Sequence, residues 1–166
     1  MEIWDLYDEY KNKLNETHIR GKELPNNKYH LVVHVWIKNK DGKYLISKRS
    51  KNRKTFPGYW ETTGGSVLKD ENSLEASTRE SFEELGILLD SKKGKLIKTN
   101  IRKIINGKKF NDIVDIYLFE YNGEVNLEKA TTDEVEDYTW ATKEDIKILF
   151  EKGIFVKTLD YFFDLF

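Results

Sequence analysis

Residues 65–87, Gly-Ser-Val-Leu-Lys-Asp-Glu-Asn-Ser-Leu-Glu-Ala-Ser-Thr-Arg-Glu-Ser-Phe-Glu-Glu-Leu-Gly-Ile, decide how the rest of the chain is read. Within them, 72–85 has the marks of a helix. Asn72 is a good N-cap residue and Glu75 stands three positions on, the spacing of a capping box. Gly86 is placed to end it in the left-handed conformation that a Cβ disfavours. On a wheel of about 100° per residue, Leu74, Thr78, Ser81, Phe82 and Leu85 fall within one arc and read as the core face. Glu80, Glu83 and Glu84 fall on the opposite side. Three carboxylates at i, i+3 and i+4 repel one another by a few tenths of a kcal/mol per pair in an isolated helix. Hard oxygen donors clustered on a rigid element suit Mg²⁺ or Mn²⁺, which would offset that repulsion.

Working outward, residues 29–37 are rich in β-branched and aromatic types and read as a largely buried strand. Asn39 to Gly42 forms a turn, and 44–47 is the partner strand. A polar loop follows from Ser50 to Tyr59. Downstream, 96–105 and 110–121 read as two strands joined at Asn106-Gly107, a strong hairpin signal. Residues 138–140 suggest a short strand, Thr142 caps a helix running towards Gly153, and Phe155 to Phe166 has the spacing of a closing helix. The N-terminal stretch 2–20 fits a hairpin or a helix equally well. Strands and helices mix without regular alternation, which predicts α+β, a mixed sheet sandwiched between helices. One domain is expected over residues 1–166, with 1–28 as an N-terminal extension or hairpin packed on it.

Bulk composition excludes several classes. The 28 basic and 29 acidic residues nearly cancel, so binding to a nucleic acid polymer by phosphate neutralisation is not expected. The chain has no cysteine, which removes disulfides, thiolate metal sites and a cysteine nucleophile together. No run approaches the roughly 18 apolar residues of a membrane helix, and Met1 is followed by Glu2 rather than by a basic segment. A cytoplasmic protein without membrane attachment is the expectation.

The residues around the glutamates make a longer pattern: Gly65, then Glu71, Arg79-Glu80, Glu83-Glu84 and Gly86-Ile87. At average residue usage, the seven fixed positions from Gly65 to Gly86 recur by chance on the order of 10⁻⁸ per window. This pattern resembles the box of the Nudix family. Pro57-Gly58-Tyr59-Trp60, leading into Thr63-Gly64-Gly65, is similar to the family's entry loop and strand, and the likeness extends over about 29–150. Ser81 departs from it, since the family has an aliphatic residue there.

The resemblance implies a Nudix fold and a pyrophosphohydrolase that cleaves a diphosphate linkage in a nucleoside diphosphate derivative, using Mg²⁺ or Mn²⁺. It implies that Glu80 and Glu84 are the main metal ligands, with Glu83 a further ligand or water-positioning group and the Gly65 carbonyl completing the shell. Arg79 and Glu71 match the pair that ties the box loop to its helix. Glu83, Glu80 or the later Glu134 are the catalytic carboxylates to consider, because a general base aids attack on phosphorus. Arg49 with Lys48 is a candidate for substrate phosphate, and Tyr29, Trp4 and Phe110 for stacking a base. His30 and His34 share one face of their strand with Val32 and Trp36, so core or pocket histidines are expected there rather than metal ligands. His18 is expected in an exposed loop. A homodimer is compatible with the family.

Residues 29–71 also resemble type I isopentenyl diphosphate isomerases. Those enzymes need a cysteine and a ligand histidine where this chain has Gly64 and Ser66, so isomerisation is not expected. A non-catalytic nucleotide-binding domain is the other alternative, disfavoured because every box glutamate is present.

Overall fold

The strand predicted over 29–37 organises the sheet. In a computed structural model that describes residues 1–105 and 107–166, it runs Tyr29–Lys38 as β3. Along one edge it pairs in succession with three antiparallel strands: β1 (Ile3–Tyr7), β6 (Thr63–Ser66) and β4 (Tyr44–Arg49). Along the other edge it pairs in parallel with β8 (Lys108–Glu120) over nine positions. The rest of the sheet hangs on these: β2 (Lys13–Ile19) on β1, β5 (Trp60–Glu61) and β9 (Val135–Ala141) on β4, and β7 (Lys95–Ile105) on β8. The N-terminal stretch is therefore a hairpin, and it joins the sheet by hydrogen bonds. Gly107, at φ 77°, stands in the β7–β8 turn as expected; Asn106 lies outside the described residues.

Alternation along β3 assigns the two faces. Leu31, Val33, Val35 and Ile37 pack against Ala76 and Leu85 of α1 (Ser73–Leu85). Trp36 faces the other way, with Ile116 of β8 and Ile146 of α2 (Lys143–Glu151). Helices thus cover both faces of a mixed sheet, the expected α+β arrangement. The closing segment differs from expectation. Phe155 bridges Trp60 in extended form, Lys157–Leu159 is a 3-10 turn, and only Phe162–Leu165 is helical (α3). Phe155, Val156, Leu159 and Phe162 are all buried. Their spacing mimics a helix because the segment must cover the same core. Among the described residues no helix is long and apolar enough to cross a membrane.

Candidate active site

Local sequence fixes α1 at both ends. Asn72 Oδ1 accepts from Leu74 N and Glu75 N, both at 3.0 Å, and Asn72 N donates back to Glu75 Oε2 at 2.9 Å. Gly86 sits at φ 66°, and a Cβ there would lie 2.0 Å from Asn126 O. The turn is open to glycine alone. Arg79 then ties helix to loop. Its guanidinium donates to both oxygens of Glu71, at 2.8 and 2.9 Å, and to Ser66 O at 2.9 Å. The remaining nitrogen donates to Glu80 Oε1 and Glu83 Oε2, at 2.9 and 3.0 Å. The Arg79–Glu71 pair and Gly86 are thus where their structural roles require.

The buried arc of α1 is Ala76, Ser77, Ser81, Glu84 and Leu85, turned towards the glutamates from the arc read off the wheel. Leu74, Thr78 and Phe82 are only partly buried. Ser81 needs no aliphatic neighbour to sit there, because its hydroxyl donates to Ser77 O at 2.8 Å. Glu84 goes deeper than any surface carboxylate. It is 6% exposed, accepts from the Thr63 hydroxyl, and burial, then Glu61 and Glu80, push its pKa well up. Burial likewise raises Glu80 to about 7, with Arg79 opposing and Glu83 and Glu134 adding to it. Glu61 is also raised by burial, although Arg49 Nη1 stands 2.6 Å from it.

Glu80 and Glu84 border a cavity of about 290 Å³ that Gly64, Gly65, Glu83 and Glu134 also line. Glu134 reaches it from the loop before β9 and is paired with Arg53 at 2.5 Å. Gly65 is a cradle: a Cβ there would lie 2.2 Å from Glu80 Oε1. At Gly64 a Cβ would lie 2.2 Å from Val33 O, so no side chain fits. Among the described residues no three acidic or imidazole groups already stand as a closed metal cage. Glu80 and Glu83 are turned to Arg79, and Glu84 to Thr63. The donor set nonetheless suits a divalent cation, since buried carboxylates with raised pKa values are relieved by positive charge.

A second cavity, about 200 Å³, adjoins the first across Val32, Gly64 and Gly65. Arg49 and Phe110, the candidates for substrate phosphate and for stacking a base, both line it. Lys48 does not; its ammonium pairs with Glu136 at 2.9 Å. Tyr29, 4% exposed, belongs to the core and has no face left to stack a substrate. Trp4 is also buried, stacked on His30 with centroids 4.2 Å apart. His18 is not in a loop but in β2, buried beside Trp4 and bonded to Lys22 O. Sequence reasoning passed over Glu61, Thr63, Arg53 and Arg102. The last is held by both oxygens of Asp112 at 2.7 and 2.6 Å, and it faces the second cavity. Only the motif-borne residues carry a local signal; Glu61, Thr63 and Arg102 are recruited by sheet register, and Arg53 by the loop between β4 and β5.

Comparison with known proteins agrees with this geometry. The NUDIX domain model matches residues 28–162. An uncharacterized Nudix hydrolase of Listeria monocytogenes, lmo0368, is 39% identical over 98% of this chain and 91% of its own length. Nucleoside triphosphatase NudI of Escherichia coli is 36% identical over 69% of this chain and 83% of its own. Among solved structures, DR0079 of Deinococcus radiodurans superimposes with a TM-score of 0.72 over 93% of this chain and 92% of its own, at 20% identity, a likeness of fold. With the family model spanning most of the chain and a relative this similar along nearly all of it, the chain belongs to the Nudix hydrolase family.

Proposed function

We propose that the chain cleaves a diphosphate linkage in a nucleoside diphosphate derivative by attack of water on phosphorus. The observation that carries this reading is the pair of inward carboxylates Glu80 and Glu84 on one cavity, both raised in pKa by burial, with Glu80 packed against a backbone cradle at Gly65. Glu80, Glu84 and Glu83, with the Gly65 carbonyl, would hold Mg²⁺ or Mn²⁺. Such an ion, when bound, neutralises the diphosphate oxygens and makes a bound water more acidic. The chain's own groups supply the rest. Glu83 and Glu80, which here accept from Arg79, would hold the cation, while Glu71 keeps Arg79 anchored so that α1 holds its register. Glu134 accepts the proton that the attacking water gives up, once Arg53 has turned to the substrate's phosphate. The bridging P–O bond then breaks, and the departing phosphate leaves with its electron pair.

The same reading is supported by the names of its NudI relatives as nucleoside triphosphatases. Isomerisation of isopentenyl diphosphate finds no support. The position where those isomerases carry a cysteine is Gly64, against whose Cα the Val33 carbonyl is packed. The test is phosphate or nucleotide release from a panel of nucleoside diphosphate derivatives, with Mg²⁺, with Mn²⁺ and with EDTA. Metal-dependent cleavage that falls by orders of magnitude in Glu84→Gln is expected. Cleavage unaffected by EDTA, or retained in that variant, overturns the proposal, and binding without turnover would favour a nucleotide sensor.

A further inference from the structure

His34 sits on the floor of the second cavity, and its hydrogen bonding is determined by groups far along the chain. Its Nδ1 lies 2.8 Å from the Tyr161 hydroxyl, and the Trp36 indole N–H donates to that same oxygen at 3.1 Å. An indole nitrogen only donates, so the phenol oxygen is already accepting. Its single proton is then free for His34 Nδ1, and no other acceptor for it stands among the described residues. The relay Trp36 to Tyr161 to His34 therefore fixes the imidazole as the Nε2–H tautomer. Burial pushes its pKa down to about 3, with Arg102 adding to the effect, so the ring stays neutral. Among the described residues no protein group takes the Nε2–H, and the ring lines the cavity.

The polar lining of that cavity is mixed. Besides His34, it presents Arg49 and Arg102, which only donate, and the Thr55, Thr62 and Thr158 hydroxyls, which donate or accept. Arg49 is held by Thr55 and by Glu61 at 2.6 Å, and Arg102 by Asp112, which leaves the His34 Nε2–H as the donor without a protein partner among these. The apolar lining includes Val32, Phe56 and Phe110, and Arg102 lies 4.8 Å from the Phe110 ring centroid. Aromatic walls and that unmet N–H suit a planar group that carries an oxygen acceptor. Each cavity alone is below the roughly 300–1,000 Å³ of a small-molecule site. Joined across Val32 and Gly64-Gly65 they reach that range, with the glutamates at one end and His34 at the other.

We infer that this second cavity binds the base of the nucleoside, and that His34 Nε2–H donates to an exocyclic carbonyl oxygen, favouring oxygen-bearing bases over adenine. Adenine puts an amino donor where uracil, thymine or guanine put an oxygen, so the His34 Nε2–H is left unpaired with it. His34 is a specificity-determining residue in this arrangement, and Tyr161 a positioning residue acting through it. The inference rests on the hydrolase reading for its nucleoside substrate.

The test measures binding without turnover, using the α,β-methylene analogues of uridine diphosphate and adenosine diphosphate in Mg²⁺. The uridine analogue should bind about tenfold or more tighter to the wild-type protein. His34→Leu should bring the ratio to near one, while His34→Gln, which keeps an N–H at the same reach, retains most of it. Nitrogen-15 spectra should show His34 protonated at Nε2 in wild type and as a tautomer mixture in Tyr161→Phe, with discrimination reduced in step. Equal binding of the two analogues, a ratio unchanged in His34→Leu, or an Nδ1–H tautomer in wild type would each overturn it. Glu84→Gln separates the two readings. Base preference intact there, with hydrolysis gone, supports both; absent base preference alongside metal-dependent hydrolysis overturns this inference alone.

Discussion

Glu80 shows at residue scale what the site costs the fold. Its carboxyl titrates at about 7 instead of 4.5, chiefly through burial. A folded-state pKa raised above the unfolded one contributes stability that is complete below 4.5 and lost as pH rises through about 7. In metal-free protein, Glu80→Gln should therefore raise stability at pH 8 by up to roughly 3 kcal/mol, at 1.36 kcal/mol per pKa unit. The gain should vanish near pH 4.5, where both side chains are neutral. Thermal unfolding in EDTA at the two pH values checks it. The same variant should lose most of the stabilisation that added Mn²⁺ gives wild type. Glu134 makes the complementary case. If it takes the water's proton, Glu134→Gln should lower kcat by about 10² to 10⁴ with little change in melting temperature; an equal loss in Glu83→Gln alone would shift the role to Glu83.

At the scale of elements, α1 shows which signals a sequence exposes. Its ends were legible because capping is local. Asn72→Ala should cost about 1 kcal/mol of unfolding free energy in urea titrations. Gly86→Ala should cost more than that, since it combines positive φ with a backbone carbonyl 2.0 Å from the new Cβ. The buried face was not legible in the same way. Hydropathy puts carboxylates in solvent, so the wheel pointed to Leu74 and Phe82, whereas the fold buries Glu84 and half-buries Glu80. On the proposed function this exception has a chemical reason, and the motif recovers the glutamates where periodicity misplaces them. The closing segment failed for another reason. Apolar spacing in 155–166 reports which residues reach the core, and an extended bridge, a 3-10 turn and one helical turn meet that demand as well as a helix does.

At the scale of the whole molecule, the relations that assemble the cleft join residues distant in sequence. Arg53 meets Glu134, and Trp36 and His34 meet Tyr161, more than 120 positions away; Arg102 meets Asp112 nearer by, across the β7–β8 hairpin that the sequence does signal. No local pattern encodes the long-range pairs, so the carboxylate end of the cleft is legible in the sequence, whereas at the other end only Arg49, Phe110 and the pocket histidine His34 are. The N-terminal hairpin depends on a pairing of the same kind. Lys11, at its turn, donates at 2.6 Å to both oxygens of Asp115, a fully buried residue of β8 that also accepts from Thr99 at 2.6 Å. The first eleven residues are thereby pinned to the strand pair that follows residue 95. Removing the cation while leaving the carboxylate should be costly, because a buried charge then loses its partner. Lys11→Met is expected to destabilise by roughly 2–3 kcal/mol, discounted from the fully buried case because the lysine is 31% exposed. Asp115→Asn in the Lys11→Met background should return part of that loss, giving a coupling energy of about 1–2 kcal/mol in a double-mutant cycle. Additive effects in urea titrations would mean that the hairpin is held by Trp4 and Leu6 packing alone, and that the ion pair adds nothing to the joint.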